Sequence, residues 1–247
     1  MVLSEYREAL GEREVEHMDC EWKRAMNYMW SSKSMRRSFG CGFSILGNGG
    51  MLLVVVIAML IPMFVKLLGF TVNESVCTWA YVVAFFSHLM TQVIAAEVPV
   101  IIYGISGKGM GGIPFAKWIM TKGIIINQLI YYVCGFALIM GIHGINIAAG
   151  VADVSWVDDL LFLTGLFFFV EAVFQSVWSL IKKEGAMQGS FGGTLSAALV
   201  ALPTVTGRVR MSVGTACLFQ VIFVAVGVVL VYFSLLRRYR KRSGIQR

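Results

Sequence analysis

Charged side chains are scarce in this chain. Asp, Glu, Lys and Arg make up 14% of the 247 residues, hydrophobic residues make up 57%, and the mean hydropathy is +0.75. Soluble domains carry charge on about a quarter of their residues. A soluble core of this size has no room for so much apolar surface, so lipid must be the solvent for most of the chain. Short gaps separate the apolar segments, which predicts one bundle rather than separate domains.

Motifs for metal, nucleotide and redox chemistry are missing as well. The five cysteines are scattered without a CxxC pair, so they indicate neither a disulfide framework nor a zinc site. No HExxH pair and no GxxxxGK[ST] loop is present. We therefore expect no catalytic centre, no metal and no cofactor. On a membrane protein the net charge of +7 indicates orientation in the bilayer rather than a nucleic-acid partner.

Long apolar runs fill most of the chain from residue 44 onward. Their lengths suit transmembrane helices, which need about 20 apolar residues. The sequence predicts an all-α polytopic membrane protein with a polar head at 1–43, a six-helix bundle and a basic tail at 237–247. The predicted spans are 44–70, 76–103, 113–141, 160–181, 189–206 and 211–236.

The fifth of these spans decides the topology, because residues 189–206 are at the lower length limit for a spanning helix. If they cross the bilayer, both termini lie on one side with 18 of the 21 lysines and arginines. If they do not, the tail lies opposite the head. Since cytoplasmic loops carry the excess of Lys and Arg, we expect six spans with both termini cytoplasmic. Arg208 and Arg210 fit this arrangement if residues 203–212 form a partly re-entrant turn lined by protein.

The polar head contains an amphipathic pattern. Its 43 residues carry seven basic and seven acidic side chains and no apolar region of a signal peptide. One helical stripe is apolar and partly aromatic, which is typical of a helix that lies in the headgroup layer. The stripe consists of Met18, Trp22, Ala25, Met26, Met29 and Trp30.

Four ionisable residues lie within or near the predicted spans, where charge is costly and often functional. They are His88, Glu97, His143 and Glu171. His88 and Glu97 are nine residues apart, about 13–14 Å along a helix, so they share no metal ion without ligands from another helix. Glu97 is expected near the cytoplasmic interface, paired with a loop lysine. For Glu171 two alternatives remain: a hydrogen-bonded residue between helices, or a member of a polar translocation path that also includes His88.

The loop GISGKGMGGIPFAKWIMTKG, residues 104–123, is basic and glycine-rich. It has three lysines, six glycines and no acidic residue. Its proline stands at the start of the third predicted span, which favours a compact turn. Together with the amphipathic head, this loop predicts a cationic and aromatic face. That face either contacts anionic lipid or binds a protein partner.

This layout resembles the permease subunit of type-2 ATP-binding-cassette transporters, a mostly bacterial class of exporters. The stretch DCEWKRAMNYMW is similar to the family's interface helix. The stretch AAEVPVIIYGISGKGMGGIPFAKWIMTKG is similar to the family's second-span exit and first intracellular loop. The resemblance covers nearly the whole length of the chain and concerns layout more than sequence.

The resemblance implies a multi-pass protein of the bacterial cytoplasmic membrane that is not itself an enzyme. It implies a separate cytoplasmic ATPase that docks on the 104–117 loop and the 19–38 helix, and a dimer with a second copy or a sister permease. ATP-driven closure of two such ATPases would rock the bundle between inward- and outward-facing states. The residues implied in docking are Trp22, Lys23, Arg24, Glu97, Lys108 and Lys117.

Two other classes of function stay open from the residues alone. The first is a six-span scaffold or assembly factor whose N-terminal helix recruits a partner. The second is an ion- or proton-coupled carrier that uses Glu171. An inverted repeat would favour a carrier, and no convincing repeat is visible in the sequence.

Overall fold

A computed structural model describes residues 39–105, 116–152, 156–180 and 211–242. All regular structure in these ranges is helical. The elements are α1 (Phe39–Leu67), α2 (Glu74–Ile105), α3 (Ala116–Trp118), a π-helical segment (Ile119–Gly123), α4 (Ile124–Ala148), α5 (Val157–Leu180) and α6 (Val213–Arg242). The predicted fifth span at 189–206 and the amphipathic head lie outside the described residues.

Five of the helices are long and apolar enough to cross a membrane, so the chain is a multi-pass membrane protein. The spanning part of α2 is the most enclosed, because 72% of its most apolar 18-residue stretch is buried. The corresponding stretches of α1 and α6 are 22% and 17% buried. Helix α2 is therefore the centre of the bundle. The outer faces of α1 and α6 carry exposed apolar side chains such as Phe64 and Phe233, as lipid requires.

The third spanning helix continues to Ala148, whereas the sequence predicted an end at residue 141. The additional helical turns contain His143 and Asn146. Both side chains are buried against other helices, where they are compatible with a helical backbone. The last helix likewise runs to Arg242, through most of the segment predicted as a basic tail.

Helices α1 and α4 end in the same way and close to each other. Gly69 and Gly150 both have positive φ, and each is followed by a backbone hydrogen bond that closes a Schellman-type cap. The Lys66 ammonium donates to the carbonyl of Ala149 at 2.6 Å. This cation thus caps a neighbouring helix at its negative end.

Helices α2 and α4 run antiparallel along each other. The Asn127 side-chain amide donates to the Ala95 carbonyl at 3.0 Å, and the Tyr81 hydroxyl meets His143 Nδ1 at 2.5 Å. Residue numbers therefore fall on α2 as they rise on α4. Both contacts are hydrogen bonds between helices, which supply part of the association energy where lipid removes the hydrophobic driving force.

Helices α5 and α6 run parallel to each other. Thr164, near the start of α5, contacts Gln220 at 3.3 Å, and Ser176 donates to the Leu230 carbonyl at 3.2 Å. Two glycines allow this close approach. A Cβ at Gly165 would lie 2.7 Å from the Gln220 Cα, and one at Gly227 would lie 2.8 Å from the Phe168 ring.

These directions separate the two ends of the bundle by charge. We call the end with Leu67, Glu74, Ala148, Val157 and Val213 the acidic end, because Glu74, Asp158 and Asp159 lie there beside the single described cation Lys66. The opposite end holds the end of α2 and the start of the π-helical segment, together with the last residues of α5 and α6. We call it the basic end, since Lys117, Lys122, Arg237, Arg238 and Arg240 lie there.

The glycine at the α5–α6 contact gives a direct test of this packing. We expect Gly165→Ala to lower the free energy of unfolding by about 1–3 kcal/mol, because the added methyl group meets backbone rather than a movable side chain. Thermal unfolding in detergent measures the change. Gly144→Ala is the matched control, since nothing lies within 4 Å of a Cβ at that position. Equal stability of the two variants would contradict the described contact.

Candidate functional site

Polar side chains are buried at several levels of the bundle interior, beside two apolar core clusters. Seventeen polar or charged side chains are buried among the described residues, and most of them lie on α2, α4, α5 and α6. In a lipid-solvated protein such groups must face other helices or an internal path. Ten of them, together with Tyr81, Tyr132 and the partly buried Gln220, form three groups: an acidic-end layer (Tyr81, His143, Asn146), a central layer (His88, Gln92, Gln128, Tyr132, Thr164, Gln220) and a basic-end layer (Glu171, Gln175, Ser234, Arg238).

The acidic-end layer joins three helices. Tyr81 on α2 bonds to His143 on α4, and Asn146 donates to the Met59 carbonyl of α1 at 2.8 Å. That carbonyl lies three residues before Pro62, where the proline ring interrupts the helical hydrogen bonding. The Trp156 indole stacks on the Tyr81 ring, with centroids 4.8 Å apart, and separates this layer from the surface.

A surface cavity of about 360 Å³ opens on the other side of Trp156. Its lining includes Asn73, Glu74 and Cys77 from the start of α2, and Val151 from the turn after α4. At the acidic end, the stacked rings of Trp156 and Tyr81 therefore lie between the polar interior and this surface cavity.

The central layer is organised around Gln220 of α6. Its side-chain amide donates to the Tyr132 hydroxyl of α4 at 3.1 Å and to the Thr164 hydroxyl of α5 at 3.3 Å. Thr164 in turn donates to the Leu160 carbonyl at 2.9 Å. One glutamine thus connects three helices.

Helix α2 contributes His88 and Gln92 to the same layer. The His88 ring lies 5.5 Å from the Tyr132 ring and presses against Gly135, where a Cβ would be 2.6 Å from its Cε1 atom. The Gln92 amide, oriented so that both its atoms are satisfied, donates to the Gln128 carbonyl and accepts from the Tyr132 backbone N–H, each at 3.1 Å. Both backbone groups belong to one turn of α4.

The basic-end layer is centred on Gln175. Its amide donates to Glu171 Oε1 at 3.2 Å, one helical turn away. The backbone carbonyl of Gln175 accepts from the Ser234 hydroxyl at 2.9 Å and from the Arg238 guanidinium at 3.4 Å. The side chains of Glu171 and Arg238, which are 1% and 8% exposed, are therefore both hydrogen-bonded to Gln175.

Sequence reasoning named three of these interior residues, His88, His143 and Glu171, and proposed His88 and Glu171 for a translocation path. His88 and Glu171 are each 1% exposed and lie in different layers. Between them, the Tyr132 ring, which contacts His88, packs on the Phe168 ring of α5 with centroids 5.1 Å apart. Lys117 is exposed at the basic end. The backbone of Glu97 belongs to α2, but its side chain is outside the described part of the structure. The same is true of four whole residues: Trp22, Lys23, Arg24 and Lys108.

The neutral polar residues of the central layer were missed, because the sequence analysis considered ionisable groups. A signal for them exists in the helical spacing. Gln92 follows His88 by four residues, Tyr132 follows Gln128 by four, and Gln175 follows Glu171 by four, each within an apolar run. Such pairs lie on one face of a helix, and in lipid a polar face has to be internal.

Comparison with known proteins adds nothing to this geometry. No family model matches the chain, and no curated protein or solved structure matches it either. Among the described residues, no group of three or more His, Cys, Asp or Glu side chains is arranged to hold a metal ion. The function therefore has to be argued from the polar interior and the charge of the two ends.

The hydrogen bonds of Gln220 supply a test of the central layer. We expect Gln220→Met to lower the free energy of unfolding by about 1–3 kcal/mol, because the variant leaves the buried Tyr132 and Thr164 hydroxyls without this donor. Thermal unfolding in detergent checks the change. Cys217→Ser, on the exposed side of the same helix, serves as control. A Gln220→Met protein as stable as the wild type would mean that the three-helix connection is unimportant.

Proposed function

We propose that this chain is the membrane-spanning permease subunit of an ATP-driven exporter, and that its polar interior is the translocation path. The observation that carries the proposal is the presence of three largely buried polar layers at successive levels between the acidic and the basic end. A scaffold needs no such interior, because apolar packing and small residues suffice to associate helices in lipid. Buried polar groups in this number are expected where something polar has to cross.

The topology we propose has six crossings. Helices α5 and α6 are parallel, so the chain between Leu180 and Val213 has to return to the acidic end before α6 begins. If both helices span the bilayer, this return is itself a crossing, which supports assigning the fifth span to 189–206. The start of α1 and the end of α6 then lie on the same side.

We assign the basic end to the cytoplasm. Lys117, Lys122, Arg237, Arg238 and Arg240 are at that end, and the excess of Lys and Arg in membrane proteins is cytoplasmic. The acidic end would then face outward, and in a bacterial cytoplasmic membrane the path would discharge at the cavity beside Trp156.

Energy would come from a separate ATPase that docks at the basic end on the 104–117 loop and the N-terminal helix. Exposed Lys117 supports this assignment, because it lies two residues before the π-helical segment. Thr121 of that segment is buried, and its hydroxyl bonds back to the Lys117 carbonyl at 2.7 Å. Movement of a docked loop would pass through this segment to α4, which carries Gln128 and Tyr132. Two permeases, either identical or sister chains, would complete the pump.

The docking assignment predicts a specific defect. We expect the double variant Lys108→Ala, Lys117→Ala to insert and fold normally but to lose a co-purifying ATPase and its ATP hydrolysis by at least about tenfold, as for two contacts of about 0.7 kcal/mol or more each. Affinity purification in mild detergent with an ATPase assay measures this. Lys122→Ala is the control, since Lys122 is also exposed at the basic end. An ATPase that remains bound to the double variant contradicts the docking loop.

An ion- or proton-coupled carrier is the second candidate, favoured by the almost complete burial of Glu171. A carrier would depend on the charge of this carboxyl group, whereas an ATP-driven path would need only its hydrogen bond to Gln175. We therefore expect Glu171→Gln to retain ATP-dependent transport in the pump. Abolition of transport in Glu171→Gln, together with dependence on a proton gradient and no associated ATPase, would establish the carrier instead.

Sidedness has an independent test. In a background without native cysteines, Asn73→Cys at the acidic end and Lys117→Cys at the basic end are exposed positions for a membrane-impermeant maleimide. We expect labelling of position 73 in intact cells, and of position 117 only after the membrane is permeabilised. The reverse pattern would invert the proposed orientation.

A further inference from the structure

Two side chains of the central layer have polar atoms without a hydrogen-bonding partner in the described part of the chain. Both ring nitrogens of His88 and both amide atoms of Gln128 are in this position. Each residue is 1% exposed. Because a buried polar group without a partner costs about 1–3 kcal/mol, these two residues are expensive to keep inside a bundle.

Their neighbours do not share this property. Asn127, adjacent to Gln128 on α4, donates to the Ala95 carbonyl, and Gln220 bonds to Tyr132 and Thr164. The Gln92 amide bonds to the backbone of α4 and makes no hydrogen bond to the Gln128 side chain. The central layer therefore combines hydrogen-bonded amides, which connect the helices, with two side chains whose polar atoms have no partner among the described residues.

His88 and Gln128 lie on facing helices, one to two helical turns apart along the bundle. His88 contacts Tyr132 and Gly135, which follow Gln128 by four and seven residues, about 6 and 10.5 Å along α4. Each group can both donate and accept: neutral imidazole has one N–H and one acceptor nitrogen, and a carboxamide has an NH₂ and a carbonyl. Together they offer paired donors and acceptors and no fixed charge.

We propose that His88 and Gln128 form a binding site for an uncharged group that both donates and accepts hydrogen bonds, namely a carboxamide or peptide amide of the transported molecule. This inference rests on the proposed transport function and specifies the chemistry of its path. The buried charges Glu171 and Arg238 belong to the basic-end layer and are connected there through Gln175. The site between the two ends would thus select an amide over a carboxylate or an ammonium group.

Binding at this site requires helices α2 and α4 to separate. The His88 ring presses against Gly135, so a ligand reaches its nitrogens only when that contact opens. The Gln92 amide bonds to the α4 backbone at Gln128 and Tyr132, beside the same contact.

The first experiment uses the sign of a stability change on the purified chain. We expect Gln128→Met, an isosteric replacement, to raise Tm by about 2–6 °C, because it removes an unsatisfied buried amide. Asn127→Leu should lower Tm by at least about 2 °C, since it breaks a made hydrogen bond. His88→Leu should likewise raise Tm, because it removes an unsatisfied buried imidazole. A fall in Tm for Gln128→Met as large as that for Asn127→Leu overturns the proposal, because Gln128 would then be bonded.

The second experiment identifies the ligand class with three molecules of the same shape and different charge: acetamide, acetate and acetamidinium. A ligand at ten times its Kd raises Tm by roughly 3–6 °C in a protein of this size. We expect this rise with acetamide alone, and its loss in Gln128→Met but not in the surface control Lys122→Ala. No specific response to acetamide, or an equal response to acetate or acetamidinium, overturns the amide site.

Neither experiment involves an ATPase, so failure of the site and failure of the pump are distinguishable. Acetamide binding without a co-purifying ATPase would keep the site and assign it to a carrier. A co-purifying ATPase without acetamide binding would keep the pump and remove the amide site.

Discussion

Every polar group inside a lipid-solvated bundle has to find its hydrogen-bonding partner within the protein, and this requirement organises the chain. Asn127 and Asn146 use carbonyls of neighbouring helices, and Gln220 joins two hydroxyls on two further helices. Lys66 satisfies the last carbonyls of α4. These bonds hold the helices in register where apolar contact alone distinguishes poorly between protein and lipid. His88 and Gln128 stand out because they do not take part in this scheme.

The parallel arrangement of α5 and α6 is the second constraint, because it determines the path of the chain. It depends on Gly165 and Gly227, where any larger residue would meet the Gln220 backbone or the Phe168 ring. With α6 placed there, Gln220 reaches the central layer, and Ser234 and Arg238 reach the basic-end layer. The same packing that completes the polar interior therefore also brings the end of α6 to the basic end.

The helices were readable from the sequence because apolar runs of this length have only one stable form in lipid. Their ends were less readable. The predicted third span ended before His143 and Asn146, and a polar residue in sequence does not reveal whether a neighbouring helix will satisfy it. The parallel pairing of α5 and α6 was not predictable, because glycines such as Gly165 and Gly227 indicate close approach but not the partner. Of the site, His88 and Glu171 were found by their ionisable groups, whereas Gln92, Gln128 and Gln220 were not.

The central claim is that the polar interior is a path open to water from one side or the other. Its most direct test is Thr164→Cys in a background without native cysteines, because Thr164 lies in the central layer and is fully buried. A polar, membrane-impermeant thiol reagent is applied from each side, and a variant retaining only the exposed, lipid-facing Cys134 serves as control. The account predicts that position 164 reacts from at least one aqueous side, at a rate that changes with ATP and the partner ATPase, while Cys134 stays unreactive. If position 164 does not react from either side under any of these conditions, the result contradicts a path through this bundle.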